Sequence, residues 1–137
     1  MNDISTVGKE FTDWFADLMG LEEGTNLFYM YQPETDNTAT WWIEQGSAVI
    51  SRECVTKQLI KRYSFLLNYR NVKAKEVDKQ IDKAQQLLSH VTCFNLPDYV
   101  VYRLEVSNLG SHQTHDSESR MRGTLQVALS IYDDYSG

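Results

Sequence analysis

Markers of catalysis are scarce in this sequence. Its two cysteines, Cys54 and Cys93, lie far apart and outside any C-x-x-C spacing. A single disulfide fits that spacing, and so do two free, largely buried thiols; a reducing compartment favours the thiols. Only two prolines are present, so most of the chain is open to regular structure. No apolar run approaches the roughly 18–20 residues of a membrane span. The start, Met-Asn-Asp-Ile-Ser-Thr, lacks the basic residues and apolar stretch of a signal peptide, and the expected compartment is the cytosol. Gly20 and Gly24 stand alone with no Gly-Lys-Ser/Thr after them, so no phosphate-binding loop is written here. Ser47 and Ser64 lack the glycine-flanked elbow of the hydrolases, and neither cysteine sits in a nucleophile motif. Acid pairs such as Glu22-Glu23 and Asp133-Asp134 read as solvated turns. No enzyme is expected, and no cofactor.

What is present is an ordinary globular composition, 42% hydrophobic and 23% charged, in 137 residues. That length fits one domain spanning 1–137, long enough to bury a core. The net charge of −6 is unevenly spread. Residues 1–50 carry nine acids against Lys9, 51–90 carry nine Lys/Arg against four acids, and 91–137 carry six acids against three arginines. The acidic total argues against nonspecific DNA binding, which needs a basic surface. The asymmetry fits a basic solvated helix beside an acidic one, or one subunit's acidic surface meeting a neighbour's basic one.

Periodicity supplies the elements. Ile4, Val7, Phe11, Trp14, Phe15, Leu18 and Met19 recur at three- and four-residue steps, which predicts a helix with an aromatic core stripe. Asp3 or Ser5 can cap its start and Gly20 or Gly24 its end, while Gly8 weakens it slightly. Leu27–Tyr31 reads as a strand stopped by Gln32-Pro33, followed by a polar loop. Trp41-Trp42-Ile43 reads as a short strand closed by Gln45-Gly46. Adjacent tryptophans on a strand point to opposite faces, so one ring belongs in the core. The other is exposed, at an interface, or under a second sheet; tryptophan is a favoured interface anchor. Ala48-Val49-Ile50 is a short extended piece. Gln58–Arg70 alternates as a long strand, with Lys61 marking a sheet edge or rim. Ala74 to about His90 is a second helix, buried through Val77, Ile81, Ala84, Leu88 and Val91, with Lys73, Lys75, Lys79 and Lys83 facing water. A turn at Leu96-Pro97 leads into a strand from Tyr99 to Ser107. The last strand, Met121–Asp133, alternates strictly: Leu125, Val127, Leu129 and Ile131 on one face, Gln126, Ala128 and Ser130 on the other. The expected fold is α+β, a mainly antiparallel sheet of about four to five strands with two helices packed on it.

Three constellations remain. The loop from Leu109 to Arg120 is long for a hairpin, where two to five residues are common, and such loops are usually functional or mobile. It holds His112-x-x-His115-Asp116, a spacing able to ligate a divalent ion, though polar loops collect such residues by chance; no metal site is expected. Arg62, Arg70, Arg103, Arg120 and Arg122 lie on or beside strands, suited to rim salt bridges or to contacts with acidic neighbours.

The order of elements resembles the small tail-terminator proteins of long-tailed bacteriophages. The residues that carry the resemblance are the basic-then-aromatic strand Lys61-Arg-Tyr-Ser-Phe-Leu-Leu-Asn-Tyr-Arg70, the Leu96-Pro97 turn after the helix, and the closing strand Leu125-Gln-Val-Ala-Leu-Ser-Ile-Tyr132. The resemblance implies a virion protein assembled in the host cytoplasm into a ring, typically a hexamer. Such a ring caps the tail tube, joins it to the head connector, and lets the genome pass through an acidic lumen without specific binding. The resemblance implies interfaces through Trp41, Trp42, Arg62, Arg70, Arg103, His112, His115, Arg120 and Arg122. Acidic and basic stretches would meet between subunits, and the Trp41-Trp42 region and the 109–120 loop would be candidates for contact with tube or neck proteins. Another neck or head-completion component is one alternative. A small α+β enzyme or ligand-binding domain, with aromatics such as Trp14, Tyr63 and Tyr102 around a pocket, is the other.

Overall fold

The computed structural model describes residues 4–30, 39–52, 59–71, 73–113 and 121–133. In chain order these are α1 (Ile4–Met19), β1 (Leu27–Tyr29), β2 (Thr40–Arg52), β3 (Leu59–Asn71), α2 (Ala74–Ser89), β4 (Phe94–Asn95), β5 (Val100–Gln113) and β6 (Met121–Asp133). The strands form one six-stranded sheet in the order β1-β2-β3-β6-β5-β4. Every neighbouring pair is antiparallel except β1 and β2, which run parallel. The architecture is α+β, with two differences from the expectation. There are six strands rather than four to five, because Phe94-Asn95 adds a two-residue strand where a turn was expected. The sheet is mixed, because β1 lies beside the strand that follows it in the same direction.

Alternation sorts the strands into two faces. Tyr63, Phe65, Leu67 and Tyr69 of β3, Leu125, Val127, Leu129 and Ile131 of β6, and Trp41 and Ile43 of β2 are buried beneath the helices. Helix α1 lies over β1, β2 and β3, and α2 over β3, β5 and β6. Val7, Phe11 and Phe15 from α1 and Val77, Ile81, Ala84 and Leu88 from α2 complete this core. Its aromatics pack on one another: Phe11 stacks on Phe65 at 5.7 Å, Trp14 on Phe94 at 4.2 Å, and Phe15 meets the edge of Trp41 at 5.4 Å.

Local chemistry sets the ends of the elements. Gly20 takes φ +68°, and the Leu21 amide bonds back to the Ala16 carbonyl at 2.8 Å, closing α1 as a Schellman turn. Gly8 is more than a weak helix residue: a Cβ there would lie 2.1 Å from the Tyr29 hydroxyl, so its absence lets β1 approach α1. The two short pieces expected at Trp41–Ile43 and Ala48–Ile50 are a single strand. A bulge between Gln45 and Ala48 carries β2 past Gly46, absorbing the extra residues without ending the pairing with β3. Strand β5 likewise runs on to Gln113, through bulges at Val101/Arg103 and Asn108/Gly110, so the first residues of the expected 109–120 loop are strand. Strand β3 is central rather than an edge, and Lys61 sits near its end as a rim residue. Cys93 is a free, exposed thiol, not a buried one, because it sits in the irregular stretch between α2 and β4. Cys54, the loop at 34–38, His115, Asp116 and Arg120 lie outside the described residues.

Candidate interaction surface

The sheet face away from the helices holds the polar half of each alternation. Of the expected site residues, Trp42, Arg62, Arg70, Arg103, His112 and Arg122 fall in its cross-strand rows, whereas Trp41 lies on the helix side. Pairing of β2, β3, β6 and β5 lays out one cross-strand row as Thr40, Arg70, Arg122 and His112. The next row is Trp42, Asn68, Thr124 and Gly110. Three rows further, past the β2 bulge, Val49, Arg62, Ser130 and Arg103 align. The structure thus gathers Arg70, Arg122 and His112 at one end of this face and Arg62 with Arg103 nearer the other.

These arginines differ in environment. Arg70 is buried, and its guanidinium lies 5.4 Å from the centre of the Trp42 ring, a cation–π contact that is strongest where water is excluded. Trp42 is itself fully buried, and its indole N–H donates to the Glu44 carboxylate at 3.2 Å. Trp41 is buried on the opposite face against Tyr69, ring centres 5.0 Å apart. Both tryptophans are therefore packed inside the chain, and neither presents an exposed ring as an interface anchor. Sequence alternation correctly sends them to opposite faces; it could not reveal that the second face also buries its ring.

At the other end, Glu105 accepts from Arg62 Nη2 at 3.0 Å and pairs with Arg103 Nε at 3.0 Å. The small side chains of Ala128 and Ser130 on β6 leave the space over which Arg62 reaches from β3 to β5. This is rim salt bridging, and all three partners are substantially exposed, so each pair contributes little to stability. Between the two ends, Thr124 Oγ1 donates to Asn68 Oδ1 at 2.8 Å. A cleft of about 210 Å³ opens beside them, lined by Glu44, Leu66, Asn68, Leu109, Gly110, Arg122 and Thr124. A second, shallow groove of about 480 Å³ lies between α2 and β5, at Asp78, Lys79, Ile81, Asp82 and Asn108. Neither cleft is lined by an aromatic ring: Tyr63 is packed in the core, and Trp14 is stacked on Phe94. Among the described residues no group of His, Cys, Asp and Glu is arranged to hold a metal ion.

Sequence reasoning passed over a carboxylate pair at the C-terminal half of α1. Asp13 and Glu23 share a side-chain hydrogen bond, which together with burial pushes the Asp13 carboxyl up to about 6. Glu23 is held below its ordinary value by the same bond and by Lys9, whose ammonium it accepts. Lys9 is raised in turn by that bond. Farther along, Glu10 is pushed up by burial although it accepts from the Asp98 backbone N–H at 2.8 Å. That last bond ties α1 to the turn after β4. The only sequence signal for the pair is acid density, which cannot say which two carboxylates will meet.

No family model matches the chain, and no curated protein matches it in sequence. Solved structures do resemble it. One is a chain of the virion of a native gene transfer agent particle, with a TM-score of 0.59 at 12% identity over 87% of this chain and 84% of that one. A second solved structure is 16% identical, with a TM-score of 0.51, over 98% of this chain and 97% of its own. The likeness is one of fold. It spans nearly the whole of both chains in each case, so the helices and the sheet are shared as one unit rather than as a common fragment.

Proposed function

We propose that this chain is a structural protein of a phage-like virion, and within it a tail terminator: a subunit of a hexameric ring that caps the tail tube and joins it to the head connector. The observation that carries this reading is the fold shared with a chain of a gene transfer agent virion over most of both lengths. The order of elements and the Lys61–Arg70 and Leu125–Tyr132 strands support the finer assignment through their resemblance to tail terminators. On this reading the protein works by geometry and has no catalytic role. The net charge of −6 suits a lumen through which DNA slides without sticking.

Two experiments test it. Native mass by light scattering, with and without tail-tube protein, should give about six subunits. A knockout of the gene in its producing host should then yield filled heads and unjoined tails of uncontrolled length, restored by the wild-type chain. Normal particles from the knockout would overturn the reading, and joined tails lacking only head fibres or capsid decoration would move the protein elsewhere in the virion.

A further inference from the structure

The six-stranded sheet is unevenly finished at its sides. Strand β1 covers β2 only at Trp41–Ile43, and β4 covers β5 only at Val100 and Val101. Among the described residues no strand pairs with the outer side of β2 over 46–52 or with that of β5 over 103–113. Long open edges are templates for pairing with another chain, and proteins that do not use them usually cover or charge them. These edges are charged only in part, at Arg103 and Glu105 of β5, and within the open stretches Val49 and Leu109 leave large apolar side chains exposed. The four large hydrophobic residues most exposed among those described are Met30 and Val49 at the β2 side and Val100 and Leu109 at the β5 side.

Three features say what fits there. Because β2, β3, β6 and β5 alternate in direction, β5 runs opposite to β2. A second copy in the same orientation therefore offers β2 antiparallel to the first copy's β5, and the alternation continues unbroken. Second, α1 sits on the β2 side and α2 on the β5 side of the same face. The stretch from α1 to Gly24 holds one lysine against five acids, and the stretch from Lys73 through α2 holds four lysines against three. Side-by-side copies bring the acidic helix of one next to the lysine-rich helix of the other. Third, β1 caps the start of β2 and β4 the start of β5, so the open stretches lean toward opposite ends of the sheet. Joining them staggers successive copies along the strands, and a repeated stagger with tilted strands is the geometry of a closed barrel.

We infer that a second copy of this chain docks through its β2 edge, residues 46–52, onto the β5 edge, residues 103–113, forming a head-to-tail contact that repeats into a ring. Such a contact is heterologous, so each copy uses one edge for each neighbour. The bulges at Gln45/Ala48 and Asn108/Gly110 limit the registers in which the edges can meet. The inference rests on the ring-forming reading above and specifies the surfaces that close the ring.

Two single variants test it, Val49→Lys on the β2 edge and Leu109→Lys on the β5 edge. Both side chains are more than half exposed, so neither change empties the core. On a sizing column with light scattering, the wild-type chain should assemble beyond a dimer and each variant alone should be a monomer. An equimolar mixture of the two should stop at a dimer, because one intact edge of each remains. Backbone amide exchange in the wild type gives an independent readout: 46–52 and 103–113 should gain protection on concentration. A ring still formed by both variants, with no protection gained on those segments, overturns the edge pairing and leaves the tail reading standing. A wild-type monomer at every concentration also overturns it, while the knockout particles judge the tail reading separately. Dimerisation of only one variant would point to a like-with-like contact and overturn the head-to-tail arrangement.

Discussion

At the scale of single residues, the most heavily committed side chain is Trp42. Its ring is fully buried on the face without helices, with the Arg70 guanidinium over it and Glu44 at its N–H. Trp42→Ala removes the packing and leaves the buried arginine without its ring, and should cost about 3–5 kcal/mol in urea unfolding. Trp42→Phe keeps most of the ring and loses the bond to Glu44, so its cost should be nearer about 1 kcal/mol. Equal losses would mean that the hydrogen bond, not the ring, holds this face. The Asp13–Glu23 pair makes a second prediction, in pH. Asp13 has a folded value of about 6 against an ordinary 3.8. The folded state therefore binds this proton more tightly than the unfolded chain does. Its contribution is complete below about 3.8 and is lost as pH rises through about 6. In thermal unfolding across that range, Asp13→Asn should remove the part of the decline that this proton causes, since an amide donates to Glu23 at any pH. A decline of the same size in the variant would assign it to other groups.

At the scale of elements, α2 and β6 come close because Gly123 has no side chain. A Cβ at that position would lie 2.5 Å from Ile81 Cγ1 and 3.0 Å from Val77 Cγ1, both on the buried face of α2. Gly123→Val must push the helix off the sheet or force Ile81 from its rotamer, which should cost about 1–3 kcal/mol. Pairing it with Ile81→Ala, which opens room beneath the helix, should return part of that loss. A double variant whose costs simply add would show that the helix, not Ile81, had moved. The same close packing explains what could be read from the sequence. Strands and helices with a strong period, α1, α2, β3 and β6, are legible to within a residue or two, because one face of each is buried and the other is not. Strand β2 is not: Gly46 and Ser47 read as a stop, and only pairing with β3 shows that a bulge absorbs them. Strand β4 is two residues long and β1 is parallel, and both owe their place to neighbours rather than to any pattern of their own. Alternation separates Trp41 from Trp42 and aligns Arg62 with Arg70, but it does not give the environments of these side chains. Arg62 and Arg103 share a carboxylate at the rim, whereas Arg70 is buried, a distinction set by β6 carrying Ala128 and Ser130 at one end and by Trp42 at the other.

At the scale of the whole molecule, charge and apolar edges would contribute to the proposed assembly in different ways, and salt separates them. Edge pairing between copies gains backbone hydrogen bonds and covers Val49 and Leu109, neither of which depends on ionic strength. The helix-to-helix contribution does depend on it, because Asp17 and Glu22 on the α1 side and Lys79 and Lys83 on α2 are exposed. The screening length falls from about 10 Å at 0.1 M salt to about 3 Å at 1 M. Assembly should therefore weaken as salt is raised but persist at higher protein concentration. Lys79 marks the test, since it lines the groove where α2 meets Asn108 of β5. Lys79→Glu should raise the concentration needed for assembly at low salt by several-fold, and the difference from wild type should shrink toward nothing near about 1 M. A defect that stays the same at every salt concentration would mean that Lys79 acts through packing. Assembly of the wild type that strengthens with salt would mean that like charges meet at the contact, and that copies do not join acidic side to basic side.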